Sequence, residues 1–145
     1  MVDRSDEFLK IRTVGKGTAG RADLVTKKSD NSNWVLKIVE GEFQPESETK
    51  KLNQASWEEV SILAKIQHQN IIRYEDSWSQ GTTLMILMEY ADGGTLEEQW
   101  KAACKAKQPF SEEKVIKWTV QLLLAVEYCH GVHSTPPHCT VNAHY

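Results

Sequence analysis

What this chain lacks narrows its function before any motif is read. It has no excess of positive charge: 17 Lys and Arg stand against 20 Asp and Glu, a net charge of −3. Nothing therefore drives it electrostatically onto nucleic acid or an anionic membrane. It has no apolar run approaching the ~20 residues of a membrane-spanning helix. Its opening octapeptide, MVDRSDEF, carries no apolar signal region, so the secretory pathway is not expected. Cysteines are few, and Cys104, Cys129 and Cys139 form neither a CxxC pair nor an even framework. That suits reduced thiols in the cytoplasm or nucleus. Aromatics are only 8% of the chain, and no internal repeat is visible. What remains is 145 residues, 40% hydrophobic and 26% charged, enough to bury a real core.

The punctuation divides a strand-rich first part from a helix-rich second part. Leu9 and Ile11 alternate with polar neighbours up to Val14, which predicts a half-buried strand. A glycine-rich loop follows over residues 15–20, then a strand near Arg21–Thr26 and a polar turn through Asn33. The strand Trp34–Glu40 alternates, with Trp34, Leu36 and Ile38 on one face and Val35, Lys37 and Val39 on the other. Residues 41–55 are polar and read as a loop, and Ser56–Gln67 reads as a helix. Strands are expected near Ile71–Trp78 and Thr83–Tyr90, and Asp92-Gly93-Gly94 reads as a flexible joint. Thr95 and Glu98 have the capping-box spacing that starts a helix. Ser111 can cap a long helix whose apolar residues run around most of its circumference, with Gly131 as its stop.

The loop Gly15-Lys16-Gly17-Thr18-Ala19-Gly20 has the form GxGxxG, which alone is a weak signal. Dinucleotide-binding folds and protein kinases both use it to bring backbone N–H groups close to phosphates. The dinucleotide reading needs a helix directly after the last glycine and an acid about 20 residues on. Glu40 stands at that distance, yet Gly20 leads into an alternating segment, a turn and another strand. That is a hairpin and leaves no room for the helix. A flexible turn without function is the plainer alternative.

Lys37 lies mid-strand on a face otherwise held by Val35 and Val39. Glu59 falls with Ile62, Leu63 and Ile66 at i, i+3, i+4 and i+7, which puts a carboxylate on the apolar stripe of the following helix. Removing one carboxylate from water costs several kcal/mol unless a cation and hydrogen bonds meet it. Two opposite charges on apolar faces of adjacent elements are therefore best explained as a pair, Glu58 being the rival that points nearer to solvent. Such a pair is also found as a purely stabilising contact.

In this order, glycine loop, hairpin, strand lysine, helix glutamate and a two-strand return, the sequence resembles a protein kinase catalytic domain. More narrowly it resembles the NIMA-related serine/threonine kinases. The strings that carry the likeness are VGKGTAGRADLV, WVLKI, EEVSILAKIQHQNII, LMILMEYADGGTL and SEEKVIKWTVQLLLAVEYCH, covering about residues 8–130. The resemblance implies an α+β fold: a kinase-like N-lobe over residues 1–91, a five-stranded antiparallel sheet plus one helix, then the first C-lobe helices over 92–131. Residues 132–145 read as a divergent, unstructured tail.

The resemblance also implies roles. The backbone of Gly15, Lys16, Gly17, Thr18, Ala19, Gly20 and Arg21 would cover the phosphates of ATP. Val14, Ala22 and Val35 would sandwich the adenine. Lys37 would bind the α- and β-phosphates, with Glu59 holding it in place. Met88 matches the gatekeeper, and the backbone of Glu89 and Ala91 the adenine-binding hinge. His68-Gln69-Asn70 resembles a structural turn of the family. Ala19 stands where an aromatic residue is common and Ala22 where valine is usual, which trims the cover over the nucleotide by ~0.8 kcal/mol for each methylene-sized group lost.

After Tyr128-Cys129-His130 the family should read His-Arg-Asp, then a lysine and an asparagine. If His133 is the catalytic-loop histidine, Thr135 takes the place of the aspartate, and Pro137 and Thr140 replace the other two. If it is His138, Thr140 takes that place, with Asn142 and Tyr145 for the others. Threonine is a poor acceptor for a substrate hydroxyl proton, and the Mg²⁺ ligands of the intact family are missing. The expectation is a kinase-family chain, truncated before the catalytic loop, that does not itself transfer phosphate. The alternative is a non-catalytic module binding nucleotide or a protein partner through the apolar face of the 112–130 helix. The tail's His130, His133, His138, Cys139 and His144 lack a CxxC pair, so no metal site is expected.

Overall fold

Two-residue alternation and glycine punctuation produce an antiparallel sheet. The computed structural model describes residues 4–17, 20–40, 60–80 and 83–132. After a 3₁₀ turn, Ser5–Glu7, come strands β1 (Phe8–Gly17), β2 (Gly20–Lys27), β3 (Asn33–Glu40), β4 (Tyr74–Gln80) and β5 (Thr83–Glu89). They form one five-stranded sheet in the order β1-β2-β3-β5-β4, with every neighbouring pair antiparallel. The described residues fall into two compact units, one within Met1–Gln67 and Arg73–Tyr90, the other within His68–Ile72 and Ala91–Tyr145.

In the first unit the alternation of β3 sorts two apolar clusters onto opposite faces of the sheet. Trp34 and Leu36 pack with Phe8, Val25, Leu87 and Trp78. Val39 packs with Val60, Leu84, Ile86, Tyr74 and Met88. Arg4 joins the first face, its guanidinium 4.5 Å from the Trp78 ring centre and paired with Asp76 and Glu7. The residues 60–63 are helical (α1), and Val60 is buried in the sheet cluster. The helix stops four residues short of the expected Gln67, because bonds from Lys65 N to Ile62 O and from Ile66 N to Leu63 O tighten its end.

β1 departs from its expected pattern. Phe8 is buried, whereas Leu9, Ile11 and Val14 are exposed. Bulges between Lys10 and Arg12 and between Thr13 and Gly15 each insert one unpaired residue, so the alternation read from sequence changes face twice. β4 begins at Tyr74 rather than near Ile71; Asn70 and Ile71 are buried in the second unit instead.

The second unit carries α2 (Leu96–Ala106) and α3 (Glu112–Val132). The expected capping box is present: Glu98 N donates to Thr95 Oγ1 at 3.2 Å and Thr95 N to Glu98 Oε2 at 2.8 Å. The joint before it is tied, since Gln99 Nε2 donates to the Gly93 carbonyl. Ser111 caps α3 through Lys114 N at 3.3 Å. Gly131 does not stop this helix, which continues through Val132. The turn at His68–Asn70 is structural: Asn70 Nδ2 donates to the Gln121 carbonyl of α3, and His68 stacks on Tyr128. α3 buries Trp118, Ala125 and Cys129, while Val115, Ile116, Val120, Leu122, Leu123 and Leu124 remain exposed. Among the described residues no helix is long and apolar enough to cross a membrane.

Candidate functional site

The glycines that end β1 and begin β2 have different reasons to be glycine. Gly20 has φ +144°, and a Cβ there would fall 2.0 Å from the Ile38 carbonyl oxygen. β2 can approach β3 this closely only without a side chain. A Cβ on Gly15 would make an ordinary 3.8 Å contact with Ala22 Cβ, and one on Gly17 would meet nothing within 4 Å. Among the described residues, packing thus demands Gly20 but neither Gly15 nor Gly17. Thr18 and Ala19 lie outside the described residues.

Beneath this loop is a pocket of about 280 Å³. Gly15, Lys16 and Gly17 line it from β1, Gly20, Arg21 and Ala22 from β2, and Lys37, Ile38 and Val39 from β3. Sequence reading named all of these except Ile38 and Val39. Ile38 enters through the close passage of Gly20 over its carbonyl, which no spacing reveals, whereas Val39 shares the Lys37 face and could have been included. Register aligns Ala22, Lys37 and Ile86 in one row across the sheet. Lys37, half-buried, therefore stands in a row with Ala22 and Ile86 and lines the pocket.

The residues named for the adenine fall elsewhere. Val35 pairs with Met88 and Leu24 in the neighbouring row of the same face, roughly 7 Å along the strand from the Lys37 row. Met88 packs in the cluster that Val60 closes. Val14 is the bulged residue between Thr13 and Gly15 and is 38% exposed. Glu89 N donates to the Arg73 carbonyl at 2.9 Å, and Glu89 Oε2 accepts from Arg73 N. Ala91 belongs to the second unit. Glu59, named as the partner of Lys37, lies outside the described residues, as does the tail from residue 133 on, with the histidines and Cys139 weighed there. Val60, the next residue, is buried against Leu84 and Ile86 of the Lys37 face.

One charged residue escaped sequence reading. Asp23 on β2 is buried, and Thr13, Lys10 and Arg21 converge on its carboxylate. Burial pushes its carboxyl up, but the hydrogen bonds from Lys10, Thr13 and Arg21 outweigh that and hold it below the usual carboxylate range.

A five-stranded antiparallel sheet in this order, followed by helices, is the α+β arrangement of a protein kinase N-lobe and the start of its C-lobe. Residues 8–135 match the protein kinase domain, and the chain belongs to that family. Such domains use ATP and Mg²⁺ in general. Its relatives are NIMA-related (Nek) serine/threonine kinases. The chain is 37% identical over 124 residues to the probable serine/threonine-protein kinase nek3 of Dictyostelium discoideum, covering 85% of this chain and 11% of that protein. It is 31% identical over 125 residues to serine/threonine-protein kinase Nek1 of Mus musculus, covering 86% and 10%. It is 34% identical over 125 residues to serine/threonine-protein kinase Nek5 of Homo sapiens, covering 86% and 17%. The chain thus spans less than a fifth of the length of these relatives.

Proposed function

We propose that this chain supplies the ATP-binding part of a NIMA-related protein kinase, whose whole-protein activity is phosphoryl transfer from ATP to serine or threonine of proteins. The observation that carries this reading is the pair Gly15 and Gly17. Neither is required by packing among the described residues, and both line a pocket that Lys37 also lines. Glycine where no described neighbour requires it is suited to a ligand that comes to the backbone. The N–H groups of this loop and the Lys37 ammonium bind the phosphates, and the Val35–Met88 row with the backbone of Glu89 takes the adenine.

These 145 residues are proposed to bind nucleotide without transferring phosphate. The sequence contains no His-Arg-Asp and no Asp-Phe-Gly triplet, from which the family draws its catalytic base and part of its Mg²⁺ ligands. Mg²⁺ should consequently change the affinity for ATP little. Calorimetry with ATP, with and without Mg²⁺, tests the reading. The expected result is binding that Lys37→Met weakens by about tenfold or more, as loss of a charge-assisted phosphate contact would. Equal affinity in parent and variant would overturn it. Phosphoryl transfer to a protein substrate that disappears in Lys37→Ala would overturn the non-transferring half.

A further inference from the structure

The face of the sheet opposite to the pocket holds a carboxylate that nucleotide binding does not explain. Asp23 is 2% exposed. Thr13 Oγ1 donates to its Oδ1 at 2.7 Å, Arg21 Nε donates to its Oδ2 at 3.0 Å, and Lys10 Nζ lies 2.9 Å from the same Oδ2. Packing alone would not choose an acid here. Its neighbours in the row on the β3 side, Leu36 and then Leu87, are apolar, while Thr13 faces it from β1. A buried carboxylate is unfavourable unless cations and donors surround it, as they do.

The positions of those donors carry the inference. Lys10 and Thr13 belong to β1, and Thr13 stands two residues before Gly15, directly across from Asp23. Arg21 belongs to β2 and follows Gly20 directly. Thr13 and Arg21 flank the glycine loop, and Lys10 reaches the same carboxylate from farther down β1. β1 needs such a fastening, because it is an edge strand with bulges on both sides of Thr13, and Phe8 is its one buried apolar side chain among the described residues. Apolar contact therefore holds the outer arm of the loop only at its far end, while Asp23 ties it next to the glycines.

We propose that Asp23 is a positioning residue: by clamping β1 to β2 through Thr13, Lys10 and Arg21, it sets the glycine loop over the pocket so that the loop's amides meet phosphate. This rests on the nucleotide reading above. A clamp of this kind acts on the phosphates and leaves the adenosine part of the ligand alone, whereas a residue that only stabilises the fold affects both alike.

Calorimetric titration of the 145-residue chain with ATP and, separately, with adenosine tests it in the parent, Asp23→Asn and Thr13→Val. The expected result for Asp23→Asn is ATP binding about tenfold weaker with adenosine binding changed by less than about twofold. Thr13→Val loses one of the donors and keeps the buried charge and both cations. It is expected to weaken ATP by about threefold, and it carries the comparison if Asp23→Asn fails to fold. Amide exchange in the free chain should quicken at residues 13–17 and 20–22 in either variant while β5 keeps the parent's protection. ATP affinity that both variants leave unchanged, or ATP and adenosine affinities that fall together, overturns the clamp and leaves the nucleotide reading standing. Failure of the parent to bind ATP overturns that reading, and the clamp's role with it.

Discussion

At the scale of single residues, three glycines that a motif treats alike separate into two kinds. Gly20 is fixed by the fold: its φ of +144° and the Ile38 carbonyl 2.0 Å from a would-be Cβ leave a methyl group nowhere to go. Gly17 has open space on that side. Gly20→Ala should therefore destabilise the chain by about 2–4 kcal/mol, the combined scale of backbone strain and steric overlap. Gly17→Ala should leave stability within about 0.5 kcal/mol of the parent. Urea denaturation of the two variants measures the difference. A loss in Gly17→Ala as large as that in Gly20→Ala would show that the fold itself needs both glycines, and would remove the main reason for reading Gly17 as a place kept clear for ligand.

At the scale of elements, what was legible in the sequence was what is local. The glycine loop, the hairpin after it and Lys37 lie within 23 residues of one another, and two-residue alternation was enough to place Lys37 on the face shared by Val35 and Val39. The start of α2 was legible for the same reason, since Thr95 and Glu98 form their capping box within one turn. The exposed face of β1 was not, because two bulges shift its register and composition does not announce a bulge. Asp23 was hidden by the same shift: its donors come from two strands, and only the bulged register brings Lys10 and Thr13 to one carboxylate. The end of α2 lacked its usual mark as well. Lys107 occupies the left-handed cap position, φ 54°, that glycine ordinarily fills. Its N–H donates to the Cys104 carbonyl and that of Gln108 to the Ala103 carbonyl, so the motif closes in spite of the side chain. Lys107→Gly keeps both bonds and removes the Cβ strain, and is expected to stabilise the chain by about 0.5–1 kcal/mol. A urea midpoint that falls in this variant would show that the lysine side chain contributes more than its backbone conformation costs.

At the scale of the molecule, the decisive feature is an apolar helix face that is exposed among the described residues. α3 buries Trp118, Ala125 and Cys129 along one side, whereas Ile116, Val120 and Leu123, spaced i, i+4 and i+7, are 54%, 48% and 60% exposed. A stripe of this kind in water favours contact with another apolar surface, and in a purified sample the commonest such surface is a second copy of the chain. Self-association that grows with concentration is the expected behaviour in sedimentation velocity. Ile116→Lys combined with Leu123→Lys should reduce it, with the helix kept, because lysine is a good helix former and Glu112 and Glu127 each lie four residues from a new ammonium. The choice of lysine makes the test severe. Two added cations move the net charge from −3 to −1, and a protein nearer to neutrality ordinarily associates more readily. A variant that becomes more monomeric in spite of losing net charge would locate the association on this stripe, whereas unchanged association would place its cause elsewhere on the surface.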